Sequence, residues 1–521
     1  MDEDTLLGMF DKAVREHRGK KFLHDRGNWL SYGEVDDLAR KVVGFLREQD
    51  VAAGDRILVA LPNSVLFPII LYGILRIGAT IVPANPLLKG RELAMLVDHS
   101  QAKVAILAPD SARELQQARP DGLAAAAFVA GGVAEGFVEF ETALERSTPA
   151  NDWPQARKDD IAAFLYTSGT TGDPKATMLS HGALAAAIRA WVEKFALTSD
   201  DRQIAMLPMF HSFGFIVVLN TTMSVGGSLV IIPRFLPEPA LEAISEHKIT
   251  VLTAVTTMFG ALLDVAENRT PALEFPAMRL AGGGAASIPP DIVSRAVATF
   301  GCPMGQGYGM TECGTAATFT AHKTELALGE VGTPMFNIEL GIVDDRGDPL
   351  PDGEVGEIVV RGPAVMTGYY QNPEATAAAL KDGWLYTGDL GLRTPDGQYF
   401  FKDRKKELII RGGFNVSPGE VEAVLYEHPD VKTAAVMGIP DSRLGEEVVA
   451  FVVRKSKEPI DTLALREFVQ GRVAPYKYPR HVVELEALPL APNGKVLKKN
   501  IDAWGIVREH LASSGSGGAG T

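Results

Sequence analysis

Tyr166-Thr-Ser-Gly-Thr-Thr-Gly-Asp-Pro-Lys175 packs four aliphatic hydroxyls, two glycines and a lysine between an apolar run and a helix-like segment. Glycine lets backbone N–H groups approach an anion closely, hydroxyls donate further hydrogen bonds, and lysine adds a mobile positive charge. The composition therefore suits a polyphosphate. It is not the common phosphate loop, because Gly-x-x-x-x-Gly-Lys-Ser/Thr cannot be laid over Gly169, Gly172 and Lys175. Taken alone, the stretch has one bland alternative, a solvated Ser/Thr/Gly turn, which is the lesser reading.

Working outward, helix-like and strand-like pieces alternate. Ser31 can cap a helix reaching Glu48, residues 56–61 form a short apolar strand, and residues 64–77 are helical. The pattern recurs at 104–107, 162–166, 228–232 and 251–254, which predicts parallel strands joined by crossover helices. No internal repeat stands out. After about residue 330, Gly/Pro/Asp turns separate short strands such as 339–343 and 357–361, the mark of a β-rich subdomain. From 404 onward the pattern is mixed again, with strands at 407–410, 431–437 and 448–453 and helices at 418–426 and 463–473. The reading is an α/β chain with a domain over 1–403, a smaller one over 404–510, and a Gly/Ser-rich, disordered tail over 511–521.

The 521 residues exceed one comfortable core, and two cysteines, Cys302 and Cys313, fit a reducing cytoplasm without disulfides. Residues 1–20 are too charged for a secretion signal, and the most apolar stretch, 66–84, carries Arg76, Gly73, Gly78, Pro68 and Pro83, which argues against a membrane span. A formal charge of −14 with no basic tract gives no footprint for nucleic acid. The expected partner is a small molecule.

Other constellations are each ambiguous in isolation. In Gly307-Tyr-Gly-Met-Thr-Glu312, Tyr308 could stack a purine, Thr311 could donate to a phosphate and Glu312 could hold Mg²⁺, or the segment is a turn with a satisfied glutamate. Ala281-Gly-Gly-Gly-Ala285 could let backbone approach a flat ring or be a flexible turn. Asp389, in Trp384-Leu-Tyr-Thr-Gly-Asp-Leu390, could accept two ribose hydroxyls or close an Asx-turn. Asp403-Arg-Lys-Lys-Glu407 could be a solvated linker, and Lys495 a solvated lysine after Pro-Asn-Gly. His211, among aromatics, is more often a packing residue than a catalyst and has no second ligand at zinc spacing. Cys313 has no basic neighbour to activate it, and no Gly-x-Ser-x-Gly elbow is present.

Taken together and in order, 166–175, 307–312, 386–389, 403–407 with Gly412-Gly-Phe-Asn415, and Pro492-Asn-Gly-Lys495 resemble the adenylate-forming superfamily of acyl-CoA synthetases, adenylation domains and luciferases over about residues 32–499. The resemblance implies two mixed α/β subdomains, a β-barrel-like subdomain and a mobile C-terminal domain, with ATP, Mg²⁺ and coenzyme A as cofactors. It implies that Thr167, Ser168, Gly169, Thr170, Thr171, Gly172 and Lys175 hold the β and γ phosphates. Gly283, Gly284, Ala285, Tyr308 and Gly309 would flank adenine, Thr311 would meet the α-phosphate, Glu312 the Mg²⁺, and Asp389 with Arg404 the ribose. Lys406 matches the hinge, Lys495 the catalytic lysine, and Gly412 and Gly413 the pantetheine path. Two departures are Ala176, where the family usually has glycine, and Lys406, where many members have aspartate.

By the same resemblance the acid pocket draws on His211, Phe215, Thr257, Gly283, Gly307, Met310 and Thr315. No aspartate stands in 210–215 to pair a substrate ammonium, so an apolar monocarboxylic acid fits, and Phe-His-Ser-Phe-Gly resembles fatty acyl ligases. An aryl acid is the alternative. Coenzyme A is the expected acceptor because no carrier domain follows Lys499; an acyl carrier protein is the other. A luciferase-like oxygenase and a non-catalytic nucleotide sensor are runners-up, and a monomer or homodimer is expected.

Overall fold

The computed structural model describes residues 3–120, 122, 125–167, 175–284, 286–320, 323–412, 414–441, 443–455, 458–491 and 496–515, apart from the side chains of 415 and 511–515. Three sheets carry the fold. In the first, the order runs Gly368–Tyr369, Lys175–Ser180, Ile161–Thr167, Thr80–Pro83, Arg56–Ala60, Ala102–Leu107, Ala126–Val129 and Val138–Glu139. Its strands from Ile161–Thr167 outward are parallel, as the alternation predicts, whereas Ile161–Thr167 and Lys175–Ser180 pair antiparallel, with Thr167 opposite Lys175. The hydroxyl- and glycine-rich stretch thus connects the two strands of a hairpin.

The second sheet changes character part-way. Lys21–Asp25, Ser228–Ile231, Arg202–Ala205, Val251–Val255, Leu280–Gly284 and Met304–Tyr308 are parallel neighbours. Met304–Tyr308 then pairs antiparallel with Thr318–Phe319, and the path continues through Glu330–Pro334, Tyr399–Arg404, Trp384–Arg393 and Gly356–Arg361 to Glu339–Val343. This antiparallel stretch is the β-rich unit expected after residue 330. Beneath the junction, Trp191, Phe195 and Phe319 pack edge to face with ring centroids 5.0–5.6 Å apart.

The third sheet contains Ile409–Arg411, Phe414–Val416, Val431–Asp441, Gly445–Arg454 and His481–Glu484. Among the described residues, no cluster of buried apolar side chains mixes residues of this unit with those before it. The expected strand at 407–410 begins two residues later: Lys405 donates from its backbone N to Gly388 O and Glu407 to Arg404 O, so the charged run forms a turn. Strands 431–437 and 448–453 extend to Asp441 and back from Gly445, because a continuous antiparallel ladder overrides weak local strand preference. The helix expected over 463–473 ends at Gln470, where Gly471 follows. A last helix, Ala503–Gly515, runs up to the Gly/Ser-rich end; 516–521 lie outside the described residues. Among the described residues no helix is long and apolar enough to cross a membrane.

Arg76, which interrupts the most apolar stretch of the sequence, is 1% exposed. Its guanidinium pairs with Asp36 on the helix Tyr32–Glu48 and with Asp11 (2.8 Å) on Leu6–His17, and stacks over Trp153 at 4.4 Å. One cation therefore ties three helices together. Burial opposes the charge of Asp36, but Arg76 and Arg40 more than offset it and hold its carboxyl below the usual range. Ser31 caps Tyr32–Glu48 in a reciprocal box with Glu34.

Replacing Arg76→Met leaves Asp36 and Asp11 without their buried partner and should cost about 3–5 kcal/mol, read as a large drop in thermal midpoint at pH 7. Because the depressed Asp36 pKa adds stability only above the unfolded carboxyl value, the gap between wild type and Arg76→Met should narrow as pH falls below about 4.

Candidate active site

Several expected site residues, Thr257, Gly283, Gly284, Gly307 and Tyr308, lie at or just after the C-terminal ends of the parallel strands Val251–Val255, Leu280–Gly284 and Met304–Tyr308, where the second sheet switches to antiparallel pairing. Ligands in open α/β sheets bind at such strand ends, because diverging loops leave a crevice there. Gly283 and Gly284 end one strand, and Gly307 and Tyr308 end its neighbour. At Gly307 a Cβ would lie 2.6 Å from the Trp191 ring, so only glycine lets the strand lie on that aromatic floor.

The chain then turns sharply. At Gly309 a Cβ would come within 2.4 Å of the Thr315 carbonyl, since Thr315 N folds back to donate to Met310 O at 2.9 Å. This turn presents Thr311 and Glu312. Thr311 Oγ1 lies 3.1 Å from Ser212 Oγ, and the neighbouring His211 Nδ1 accepts from Phe213 N at 3.3 Å. Glu312, 7% exposed, accepts at Oε1 from the Tyr369 hydroxyl at 2.9 Å, and its main-chain carbonyl accepts from Met366 N at 2.8 Å. Lys175 Nζ stands over the Tyr369 ring at 5.0 Å. Lys175 and Glu312, far apart in sequence, thus meet around Tyr369, and burial, then the charge of Glu312, raises that phenol's pKa.

A second group forms around Asp389. The Tyr308 hydroxyl donates to Oδ2 at 2.8 Å, and Arg404 Nε lies 3.3 Å from Oδ1, with Asp389 and Arg404 directly opposite on adjacent strands. Burial, followed by the Asp389 charge, pushes the Tyr308 pKa well up, so the phenol stays a donor.

Next to these strand ends runs Phe213–Asn220, a wide π-type helical segment with no charged residue. Such segments are rare and recur at functional sites. Phe215 is fully buried, packing edge to face on Phe67 at 6.4 Å, which sets it in the core behind the segment. Thr257 lies in the first turn of the helix Thr256–Asn268, and Met310 and Thr315 on the turn just described. Gly412 stands apart in the third sheet, its N donating to Leu444 O at 2.7 Å. Lys406 lies in the turn between the second and third sheets. Ser168, Gly169, Thr170, Thr171, Gly172, Ala285, Gly413 and Lys495 lie outside the described residues.

Three contacts escaped the sequence reading. Tyr369 joins Glu312 to Lys175, Ser212 partners Thr311, and Asp403 reaches across to Ser417. Only Tyr369 had any local signal, the Gly368-Tyr-Tyr370 triplet beside a turn. Cys313 is buried, with its thiol pushed up to about 12 by burial, which removes it as a nucleophile.

Residues 10–370 match the family described as AMP-binding enzyme, and residues 420–495 match the AMP-binding enzyme C-terminal domain. The chain is 35% identical to a feruloyl-CoA synthase of Amycolatopsis sp over 91% of its own length and 94% of the relative's. It is 30% identical to a long-chain-fatty-acid–CoA ligase of Salmonella typhimurium, covering 95% and 94%. Its fold matches ATP-bound MatB from Rhodopseudomonas palustris with a TM-score of 0.86 at 30% identity, covering 97% and 99%, and the apo form of the same enzyme with 0.78 at 30% identity, covering 98% and 99%. With motifs, strand-end geometry and both family segments in agreement, the chain belongs to the AMP-binding enzyme family, the adenylate-forming superfamily, and stands there among acyl-CoA ligases.

Proposed function

We propose that the chain is an ATP-dependent carboxylic acid:CoA ligase that activates an apolar acid, a medium- or long-chain fatty acid, as its acyl-adenylate and passes the acyl group to coenzyme A. The observation that carries this reading is the contact of Lys175 and Glu312 through Tyr369, together with the Tyr308–Asp389–Arg404 group at the strand end from which the Thr311–Glu312 turn leaves, beside the uncharged segment Phe213–Asn220.

The first step brings two anions together. A carboxylate oxygen bonds to the α-phosphorus of ATP while the bond to the β-phosphate oxygen breaks, its electron pair leaving with pyrophosphate. Lys175 and the Thr311 hydroxyl would offset the charge building on the phosphates, and Asp389 with Arg404 would hold the ribose. Lys495 would bridge the carboxylate and α-phosphate. Glu312 fits a magnesium site: it is a buried hard-oxygen donor whose carboxylate keeps lone pairs beyond the one that accepts from Tyr369. When bound, Mg²⁺ supplies neutralisation of phosphate charge. In the second step the pantetheine thiol would enter past Gly412 and Gly413, its sulfur would bond to the acyl carbon while the bond to the AMP oxygen breaks with its electron pair leaving on AMP, and the thiol proton would pass to solvent. Lys406 would serve as the hinge between a domain over 1–403 and one over 404–510.

An ammonium-bearing acid would find no counter-charge among 210–218, 255–260 or the pocket face of 305–315 apart from Glu312. The buried free thiols Cys302 and Cys313 suit a reducing cytoplasm. A second reading, an aryl acid, is favoured by the higher identity to the feruloyl-CoA synthase than to the long-chain ligase. A carrier protein in place of coenzyme A is the alternative acceptor.

A panel of fatty, benzoic and cinnamic acids with ATP, Mg²⁺ and coenzyme A, scored for pyrophosphate and thioester, should give the highest kcat/KM with a medium- or long-chain fatty acid; a tenfold preference for a cinnamate would establish the aryl reading instead. Lys495→Ala should lower pyrophosphate formation by about a hundredfold or more while a supplied acyl-adenylate is still thiolated. Lys406→Pro should impair thioester formation more than adenylation, measured as separate half-reactions.

A further inference from the structure

The chain passes from the second sheet to the third within a short stretch. Up to Lys405 it is held by the second sheet: Asp389 lies opposite Arg404, Lys405 N donates to Gly388 O, and Lys405 Nζ pairs with Asp345 at 2.7 Å and Glu357 at 3.3 Å. By Ile409 it belongs to the third sheet. The pivot is therefore confined to residues 406–408.

One buried group spans that pivot. Asp403, 6% exposed, is the penultimate residue of the strand Tyr399–Arg404, yet its Oδ2 accepts from Ser417 Oγ at 2.5 Å and from Gly419 N at 3.1 Å. Both donors lie at the N-terminus of Pro418–Tyr426, the first helix beyond the pivot, which Ser417 also caps by accepting from Glu420 N at 3.2 Å. A carboxylate is well matched to that end of a helix, where N–H groups and the helix dipole favour negative charge. Its other oxygen accepts from Arg404 N at 2.7 Å. Turning about 406–408 would pull the helix end away and leave a buried carboxylate short of donors, at a cost that favours the arrangement in which it is clasped. A second bridge works in the same sense: Lys498 Nζ lies 2.7 Å from Glu422 on that helix and 3.6 Å from Glu407 in the pivot turn, with Arg404 3.9 Å from Glu407 on the other side. Burial opposes the Lys498 charge, and Glu422 and Glu407 more than reverse it, raising its pKa.

We propose that Asp403 is a positioning residue that clasps the C-terminal unit through Ser417 and Gly419 in the arrangement used for acyl-adenylate formation. In this arrangement Gly412, placed on the pantetheine path, is exposed and donates to Leu444 O of its own unit, which suits the step before thiolation. The proposal rests on the two-step reading above, and goes beyond it by assigning the device that biases one step over the other. Asp403 acts through the placement of the helix and the unit that follows it, and does not touch substrate.

The test uses the full chain with Asp403→Ala, Asp403→Asn and Ser417→Ala, each checked for an unchanged thermal midpoint to within a few degrees. Acid-dependent ATP–pyrophosphate exchange should fall about tenfold in Asp403→Ala and Ser417→Ala, while thiolation of supplied acyl-adenylate stays within about twofold of wild type. The double variant should be no worse than either single one, and Asp403→Asn should recover part of the exchange. Equal loss in both half-reactions, or none in either, overturns the clasp. A readout independent of catalysis is tryptic cleavage at Arg404, Lys405 and Lys406, which Asp403→Ala should accelerate; an unchanged rate overturns the clasp whatever the substrate. If wild type forms no pyrophosphate with any acid but the tryptic rate still rises, the functional reading fails and the clasp stands.

Discussion

The strand Met304–Tyr308 has to satisfy two kinds of neighbour at once, parallel Leu280–Gly284 on one edge and antiparallel Thr318–Phe319 on the other. Backbone N–H and C=O groups buried in a sheet must all be paired, so this strand fixes how the parallel and antiparallel halves are set against each other. It can do so only because small residues let it lie on the Trp191–Phe195–Phe319 floor. Part of the candidate site is hung from its far end: Tyr308 reaches Asp389, and the turn after Gly309 presents Thr311 and Glu312.

The two halves contribute different groups. The hairpin of the first sheet brings Lys175 to Tyr369, and the short strand Gly368–Tyr369 is hydrogen-bonded to that same hairpin, so cation and phenol are held by one ladder. The antiparallel half brings Asp389 and Arg404 as a cross-strand pair. A reaction that joins a carboxylate to a phosphate needs donors preorganised before either anion arrives, since reorienting them during the reaction would cost the barrier they are meant to lower. Groups anchored on strands of a closed ladder meet that requirement better than groups on free loops.

The charged segment 403–407 illustrates the opposite demand. A single chain linking two separately cored units needs few contacts if it is to turn, and its charges keep it in water at the turn. Asp403 departs from that rule by being buried, and its partners lie beyond the turn. The same carboxylate that looks like one more charge in a linker therefore acts as a contact between units.

Much of this was legible in the residue order. The alternation of apolar strands with amphipathic helices and the Ser31 cap are local patterns that hydrogen bonding and periodicity decide, whereas the hydroxyl-rich, Gly-Tyr-Gly-Met-Thr-Glu, Thr-Gly-Asp and Asp-Arg-Lys-Lys-Glu motifs were legible through their order, by resemblance to a family. Strand ends at 409, 441 and 445 were not legible, because ladder partners elsewhere in the chain set them. Nor were the partnerships of Tyr369 with Glu312, of Ser212 with Thr311, of Arg76 with Asp36 and Asp11, and of Asp403 with Ser417. The sequence by itself determined which chemical groups are present and in what local conformation; only the tertiary structure decided which of them meet, since contact between residues distant along the chain depends on sheet register and helix packing that no local pattern encodes.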